Sequence, residues 1–308
     1  MSKSSPVLVL GEALIDVVDQ AGEIAEHVGG SPANVAFGLG RLDHDVTLAA
    51  WFGQDERGER IAATCAAAGV KVAPGSDAAQ HTPVAYATVD EAGRATYRFD
   101  LSWELPPLLE GAAVDHVHTG SIAAILEPGS SQVLNAVRRL REQATISYDP
   151  NARPTLMGAP DEARPRMEDL ISLSDLVKAS DEDIEWLYPG SAVIDVVRKW
   201  LDLGAAAVVV TRGPDGAWFA VGDAAELAEE PPAEVDVADT VGAGDSFMAG
   251  LVSGLLDAGL LGDADSRSRL AAASIEDVRP AIQRAIATSA ITVSKAGAYG
   301  PTRDELGL

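Results

Sequence analysis

The segment Asp239-Thr240-Val241-Gly242-Ala243-Gly244-Asp245 concentrates residue types that handle an anion. Small residues at 242–244 let the backbone pass close to a ligand and turn successive N–H groups toward it. A helix is expected to begin at Gly244 and run to about Leu256, so its positive end faces the same point. Together these features make a cradle for an oxyanion or a phosphate. Asp245 falls in the first helical turn. A carboxylate there fits a general base that takes the proton of an attacking hydroxyl. It equally fits an acid that complements the helix dipole, and spacing alone leaves both open. A dinucleotide fingerprint would need glycine at 247, where the chain has Phe247. The chain also lacks a G-x-x-x-x-G-K-[ST] loop.

Other segments offer binding chemistry. In Gly29-Gly30-Ser31-Pro32-Ala33-Asn34, Ser31 reads as an N-cap and Pro32 as the first helical residue. Asp16 and Asn34 carry side chains that can bond hydroxyls. Asp149-Pro150-Asn151-Ala152-Arg153 follows the strand-like run Thr145–Tyr148, and Arg153 suits either a ligand contact or a structural ion pair. Thr211-Arg212-Gly213-Pro214-Asp215-Gly216 follows another such run. Tyr97, Phe99 and Trp103 suit either an apolar wall over a ligand or packing of a hairpin. His116 and His118 alternate on a strand and are expected to face opposite sides, outside any metal or triad pattern. Cys65 is a small core residue rather than a nucleophile.

The elements that must position these residues alternate. Strands are expected at Val7–Leu10, Val46–Trp51, His116–His118, Thr145–Tyr148, Leu176–Lys178, Ala207–Thr211 and Ala217–Val221. Helices are expected from Ser31 to about Leu42, then at Glu56–Ala68, Ser130–Gln143, Asp181–Leu187, Ala192–Leu203 and Ile275–Lys295. Such alternation gives an α/β fold with a doubly wound, mostly parallel sheet. Val84–Val89 and Ala95–Phe99, turned at Glu91–Arg94, interrupt it as a hairpin. With strands from 12–28 they form a small inserted β-sheet, a lid. Glu226–Val237 is the most loop-like stretch.

Bulk properties narrow the function. The 308 residues suit one main domain with a subordinate element, spanning 1–308, with lid strands from about 12–28 and 80–100. A net charge of −24 argues against nonspecific binding of nucleic acid or of an anionic membrane surface. One cysteine excludes an intrachain disulfide. The apolar start is too short and too charged for a signal peptide, no stretch approaches a membrane span, and the cytoplasm is expected.

Three motifs, in order, resemble the ribokinase/PfkB family of sugar kinases. Gly29 to Ala36 is similar to its N-terminal signature. Gly53-Gln54-Asp55-Glu56-Arg57-Gly58 resembles its G-x-D-x-x-G, and Asp239 to Asp245 its C-terminal signature. The resemblance runs from about Val7 to Tyr299. It implies a ribokinase-like fold and in-line transfer of the γ-phosphoryl of ATP to a sugar hydroxyl. Asp245 would be the base, and the amides of Gly242, Ala243 and Gly244 the anion hole. Asp16, Gly30 and Asn34 would bind the sugar. Asn151 and Arg153 match a D-x-N-x-R of fructokinase-like and 2-keto-3-deoxygluconate-kinase-like members. Thr211, Gly213 and Gly216 would hold ATP phosphates. Lys178 and Ser289 would lie on the nucleotide side, with residues 287–299 as the adenine wall. Where the family has N-x-x-E for Mg²⁺, this chain has Ser180 and Asp183. Asp239 and Val241 would bind a monovalent cation such as K⁺. The details favour fructose; ribose, 2-keto-3-deoxygluconate, a nucleoside such as adenosine, and noncatalytic sugar binding are the alternatives. Lid sheets with an exposed edge or face often pair, which points to a homodimer through the lid.

Overall fold

The computed structural model describes residues 5–20, 22–89, 95–108, 111, 113–222 and 227–308. Four apolar residues make Val7–Leu10 (β1), and all four are buried. That is what a strand covered on both faces requires. The chain continues through Leu14–Gln20 (β2), Glu23–Gly29 (β3), helix Ser31–Arg41 (α1), Val46–Ala49 (β4), helix Glu56–Ala67 (α2) and Lys71–Val72 (β5). Val84–Val89 (β6) and Ala95–Asp100 (β7) follow, then His116–Gly120 (β8), a 3₁₀ turn at Ser121–Ala124 and helix Gly129–Leu140 (α3). Thr145–Asp149 (β9) precedes helices Pro154–Met157 (α4) and Pro160–Leu173 (α5). Then come Leu176–Ser180 (β10), Asp181–Leu187 (α6), Val193–Leu203 (α7), Ala207–Thr211 (β11), Ala217–Val221 (β12) and Ala228–Glu230 (β13). Helices Ala243–Asp257 (α8), Ala264–Ala271 (α9), Ile275–Val293 (α10) and Arg303–Leu306 (α11) complete it.

The large sheet has the order β13-β12-β11-β10-β9-β8-β1-β4-β5. Its pairs from β5 to β11 are parallel, and β12 and β13 are antiparallel additions at one edge. From β1 the chain turns toward β4, and only later returns to β8 on the other side. The ends of β1 and β8 therefore border a topological switch point, where open α/β sheets bind ligands. The lid is a separate four-stranded sheet, β3-β2-β6-β7. The turn expected at Glu91–Arg94 lies outside the described residues.

Helix α8 is buried along almost its whole length. Glycines let its neighbours approach. A Cβ on Gly38 of α1 would come within 2.6 Å of the Ala249 Cβ, and one on Gly250 within 2.5 Å of the Thr288 hydroxyl of α10. The α1–α8 contact brings the N-termini of both helices to one place, and the site is built there.

The structure corrects several expectations. Gly30, not Ser31, is the N-cap of α1, and no side chain caps the helix. His116 and His118 share a face, because residues two apart on a strand point the same way; both bond the Ser147 hydroxyl, at 2.9 and 3.0 Å. Trp103 is only 1% exposed and donates to the Ala123 carbonyl, so it belongs to the core. The loop-like stretch Glu226–Val237 contains β13. Helices α5 and α9 lie where the sequence suggested no element. Pro165 sits inside α5, tolerated because Ala163, Met167, Leu170 and Ile171 pack into the core.

Candidate active site

Gly30 and its neighbour open the acceptor side. A Cβ on Gly29 would strike the Asp16 carboxylate at 2.0 Å, and one on Gly30, at φ 103°, the Glu12 carbonyl at 2.4 Å. The glycine pair thus makes room for β2 to lay Asp16 across the entrance to α1. Burial pushes the Asp16 carboxyl up to about 6, against the pull of His27 and Arg153. Glu12, at the switch point, accepts from the Ala123 amide at 3.2 Å and ties the end of β1 to the turn after β8. Burial pushes it up to about 7. Sequence reasoning missed Glu12, which reads only as a charge interrupting an apolar run.

Asp245 is 7% exposed in the first turn of α8. The Ser31 hydroxyl donates to its Oδ1 at 2.6 Å and the Asn34 amide to its Oδ2 at 2.8 Å. The Asn151 amide reaches Oδ1 at 3.3 Å and Ser31 at 2.6 Å. Asn151 holds φ 38°, a left-handed conformation that asparagine tolerates better than most residues. Three segments far apart in sequence thus meet on one carboxylate. Ser31 was missed as part of this group, because a serine before proline reads first as a cap. Arg153 is exposed, and its guanidinium folds back on Asn151, donating to Oδ1 at 2.6 Å.

Gly242 holds φ 74°, and a Cβ there would meet Ala298 at 2.6 Å. The bend at 242–244 therefore needs glycine both for its dihedral and for its contact with the loop after α10. Lys178 is 3% exposed and pairs with the fully buried Asp149 at 3.1 Å. Its ammonium lies beneath Gly244, where an added Cβ would come within 3.2 Å. Burial opposes that charge, but Asp149, Asp183 and Asp245 together outweigh it and raise the lysine's pKa. Burial pushes Asp149 up to about 6 against the pull of Lys178, and among the described residues its Oδ1 has no hydrogen-bond partner.

Beyond the bend lies a cleft of about 980 Å³. Thr211, Gly213, Gly216, Gly244 and Ser289 all line it, as do Val235, Val237, Phe247 and Val293. Val235 and Val237 are exposed apolar residues on its rim. Lys178 is not among the lining residues; it reaches the site from below.

The two expected metal positions differ. The Asp239 carboxylate accepts from the Val241 amide at 3.0 Å and the Gly297 amide at 2.8 Å. It thereby clips the segment before α8 to the loop after α10. These amides hold its carboxyl below the usual range. Asp183 caps α6 with Ser180, and both its oxygens accept backbone N–H groups, from Ala152 at 2.7 Å and Ser180 at 2.8 Å. Among the described residues, no group of three or more His, Cys, Asp or Glu side chains could hold a metal ion.

The geometry is a buried acid, bonded by Ser31, Asn34 and Asn151, at a glycine-lined bend beside the large cleft. Residues 6–305 match the model of the pfkB family carbohydrate kinases. The chain is 32% identical to probable fructokinase-6, chloroplastic, of Arabidopsis thaliana, over 98% of this chain and 82% of that one. It is 31% identical to the fructokinase of Klebsiella pneumoniae, over 82% and 85%. Among solved structures, fructokinase with bound ATP from Xylella fastidiosa superposes with a TM-score of 0.85 at 24% identity, covering 99% of this chain and 97% of that one. Ribokinase from Thermotoga maritima gives 0.74 at 19%, covering 98% of each chain. The fold is thus ribokinase-like, and the chain belongs to the pfkB family of carbohydrate kinases.

Proposed function

We propose that this kinase transfers the γ-phosphoryl of ATP to a hydroxyl of fructose. The observation that carries the proposal is the Asp245 carboxylate, held by Ser31, Asn34 and Asn151 at the N-terminus of α8. The similarity to the Arabidopsis and Klebsiella fructokinases supports fructose as the acceptor.

The chemistry follows from the donors and acceptors present. A sugar hydroxyl takes over one of the hydrogen bonds to Asp245, and the carboxylate accepts its proton as the new O–P bond forms and the bond from the γ-phosphorus to the β-phosphate oxygen breaks, which releases ADP. Asp16 accepts from two further hydroxyls, and Asn34 and Asn151 orient the ring. The amides of Gly242, Ala243 and Gly244, with Lys178 below them, meet the charge on the transferring phosphoryl. Arg153 swings from its own loop to that phosphoryl or to the sugar. ATP lies in the large cleft, its phosphates against Thr211, Gly213 and Gly216 and its base between the Val235–Val237 rim and the Ser289 face of α10. Lid closure excludes water, which otherwise competes as acceptor.

A Mg²⁺ ion bound with ATP would neutralise charge on the phosphates, and one nearby carboxylate would be enough to place it. Asp183 would hold the ion through water, since backbone amides occupy its oxygens, with the Oδ1 of Asp149, unpaired among the described residues, as the second oxygen. Asp239 and the Val241 carbonyl would hold K⁺. Replacing K⁺ by tetramethylammonium at equal ionic strength then lowers turnover; equal rates would remove the cation from the scheme. The enzyme works in the cytoplasm, as a homodimer joined through the lid.

ADP release measured across a panel of sugars tests the acceptor. Asp245→Asn preserves shape and should lose about two to four orders of magnitude in turnover. Calorimetry should find its sugar affinity intact. A variant that keeps most of its turnover would refute the assigned base.

A further inference from the structure

His27 stands at one end of the lid row that carries Asp16. His27 and Ala85 both pair with Asp16, and Phe99 pairs with Ala85, so one row crosses all four strands. Residues directly opposite each other share a face of the sheet. His27 therefore lies on the face that Asp16 turns to the site. Phe99 ends the row beside Ile122 and Met157. His27 ends it at the other edge, toward the segment that leads into the bend at 242–244. Burial pushes the Asp16 carboxyl up, and His27 is the largest pull against it. The same imidazole adds to the pull of the Val241 and Gly297 amides on Asp239. It thus acts on the acceptor side and on the approach to the bend at once.

The backbone of His27 is fixed from behind. Its neighbour Glu26 faces the other side of the sheet, where Arg57 and Arg60 of α2 hold the carboxylate. Arg60 also donates to the Glu26 carbonyl at 2.7 Å. On the other flank, Gly29 and Gly30 bring β3 close to β2 and into α1. His27 itself is exposed, and among the described residues its side chain makes no hydrogen bond or ion pair. A donor held in place without a partner is what a ligand contact requires. The other side chains in and beside its row leave that task to it. Val18, Ala25, Ala85, Ala87 and Phe99 have no donor, and Tyr97 lies in β7 at the opposite edge.

We propose that His27 donates a hydrogen bond from the lid to the γ-phosphoryl as it passes from the nucleotide to the acceptor. The proposal rests on the kinase reading for what crosses the bend. The amides of 242–244 and Lys178 meet that group from α8 and from below, while Asp16, Asp239 and Asp245 crowd it with negative charge. A donor from the lid side completes its ring of partners. Either nitrogen serves, because imidazole keeps at least one N–H whether neutral or protonated. In the transfer the sugar oxygen bonds the γ-phosphorus, the bond to the β-phosphate oxygen breaks, and the hydroxyl proton goes to Asp245. His27 keeps its own proton throughout.

His27→Ala, His27→Gln and His27→Lys test the contact in the full chain, and circular dichroism checks that these surface variants fold. At saturating ATP and fructose, His27→Ala should lower kcat about tenfold, less than the loss of about a hundredfold or more on removing an enclosed oxyanion donor. Its KM for fructose should stay within about threefold, as expected when an interaction made in the transition state is removed. His27→Gln or His27→Lys, which keep an N–H, should recover part of the loss. A second readout follows the phosphoryl alone. ADP with aluminium fluoride, in the presence of Mg²⁺ and fructose, mimics the group in transit. Its Ki should rise about fivefold or more in His27→Ala, while the Kd of ADP alone is unchanged. An aluminium fluoride Ki that His27→Ala leaves unchanged would overturn the proposal, whatever happens to kcat. A loss confined to the KM for fructose would make His27 a sugar ligand and overturn it too. Failure of the kinase reading looks different: wild type then releases no ADP with any sugar.

Discussion

As the proposed sugar ligand, Asp16 would meet two demands that pull in opposite directions. To accept from two hydroxyls it would have to be ionised, yet burial raises its pKa to about 6. The sign for stability follows. A carboxyl whose folded pKa lies above its unfolded value favours the folded state at low pH and loses that contribution as pH rises through about 6. At pH 8 the free enzyme therefore carries an ionised Asp16 at a cost in stability. Asp16→Asn should melt higher than wild type at pH 8 and no higher near pH 4, while its KM for sugar rises sharply. The wild-type KM for sugar should itself rise as pH falls below about 6, and that slope should vanish in the variant. A wild-type KM flat from pH 5 to 8 would take Asp16 out of sugar binding. Asp16, Asn34, Asn151 and Asp245 were legible because polar residues next to glycine or at strand ends are scarce and informative. Ser31 and Glu12 were not, because their partners lie 214 and 111 residues away, and no local pattern encodes such a distance.

Elements were legible where the apolar pattern was clean, as in the buried strands β1 and β11. They were obscured where tertiary packing overrides a local breaker. Helix α5 survives Pro165 because one face is in the core, and α9 is short, held by Asp263 as its N-cap. The lid shows the converse case, an element whose pattern leaves contacts unmade. Its outer strands β3 and β7 are both edges, and each carries an exposed large side chain, Ile24 at 68% and Tyr97 at 57%. Unpaired edges with apolar side chains recruit another strand or sheet. Static light scattering should return about twice the chain mass of 31.9 kDa. Tyr97→Lys should shift the distribution toward monomer, with Ile24→Lys adding to the shift. A wild-type monomer at high protein concentration would end the lid dimer.

At the scale of the whole molecule, the fold solves an electrostatic problem set by its composition. The chain carries a net charge of −24, yet its proposed cosubstrate is an anion. Attraction acts at short range, from the start of α8 and the Lys178 ammonium beneath Gly244. Beyond about 10 Å, the Debye length at 0.1 M salt, the long-range field is repulsive. Salt therefore acts in opposite senses on approach and on contact. It removes the repulsion that slows approach, while the buried contacts are screened far less. With K⁺ and Mg²⁺ fixed, tetramethylammonium chloride should raise kcat/KM for ATP a few-fold between about 0.01 and 0.15 M ionic strength, where the screening length shrinks from about 30 to 8 Å. An enzyme that draws ATP in through a basic surface would show the opposite slope. A steady fall in kcat/KM over that range would mean that a positive field extends out of the cleft, and that the acidic surface is arranged to leave the entrance clear.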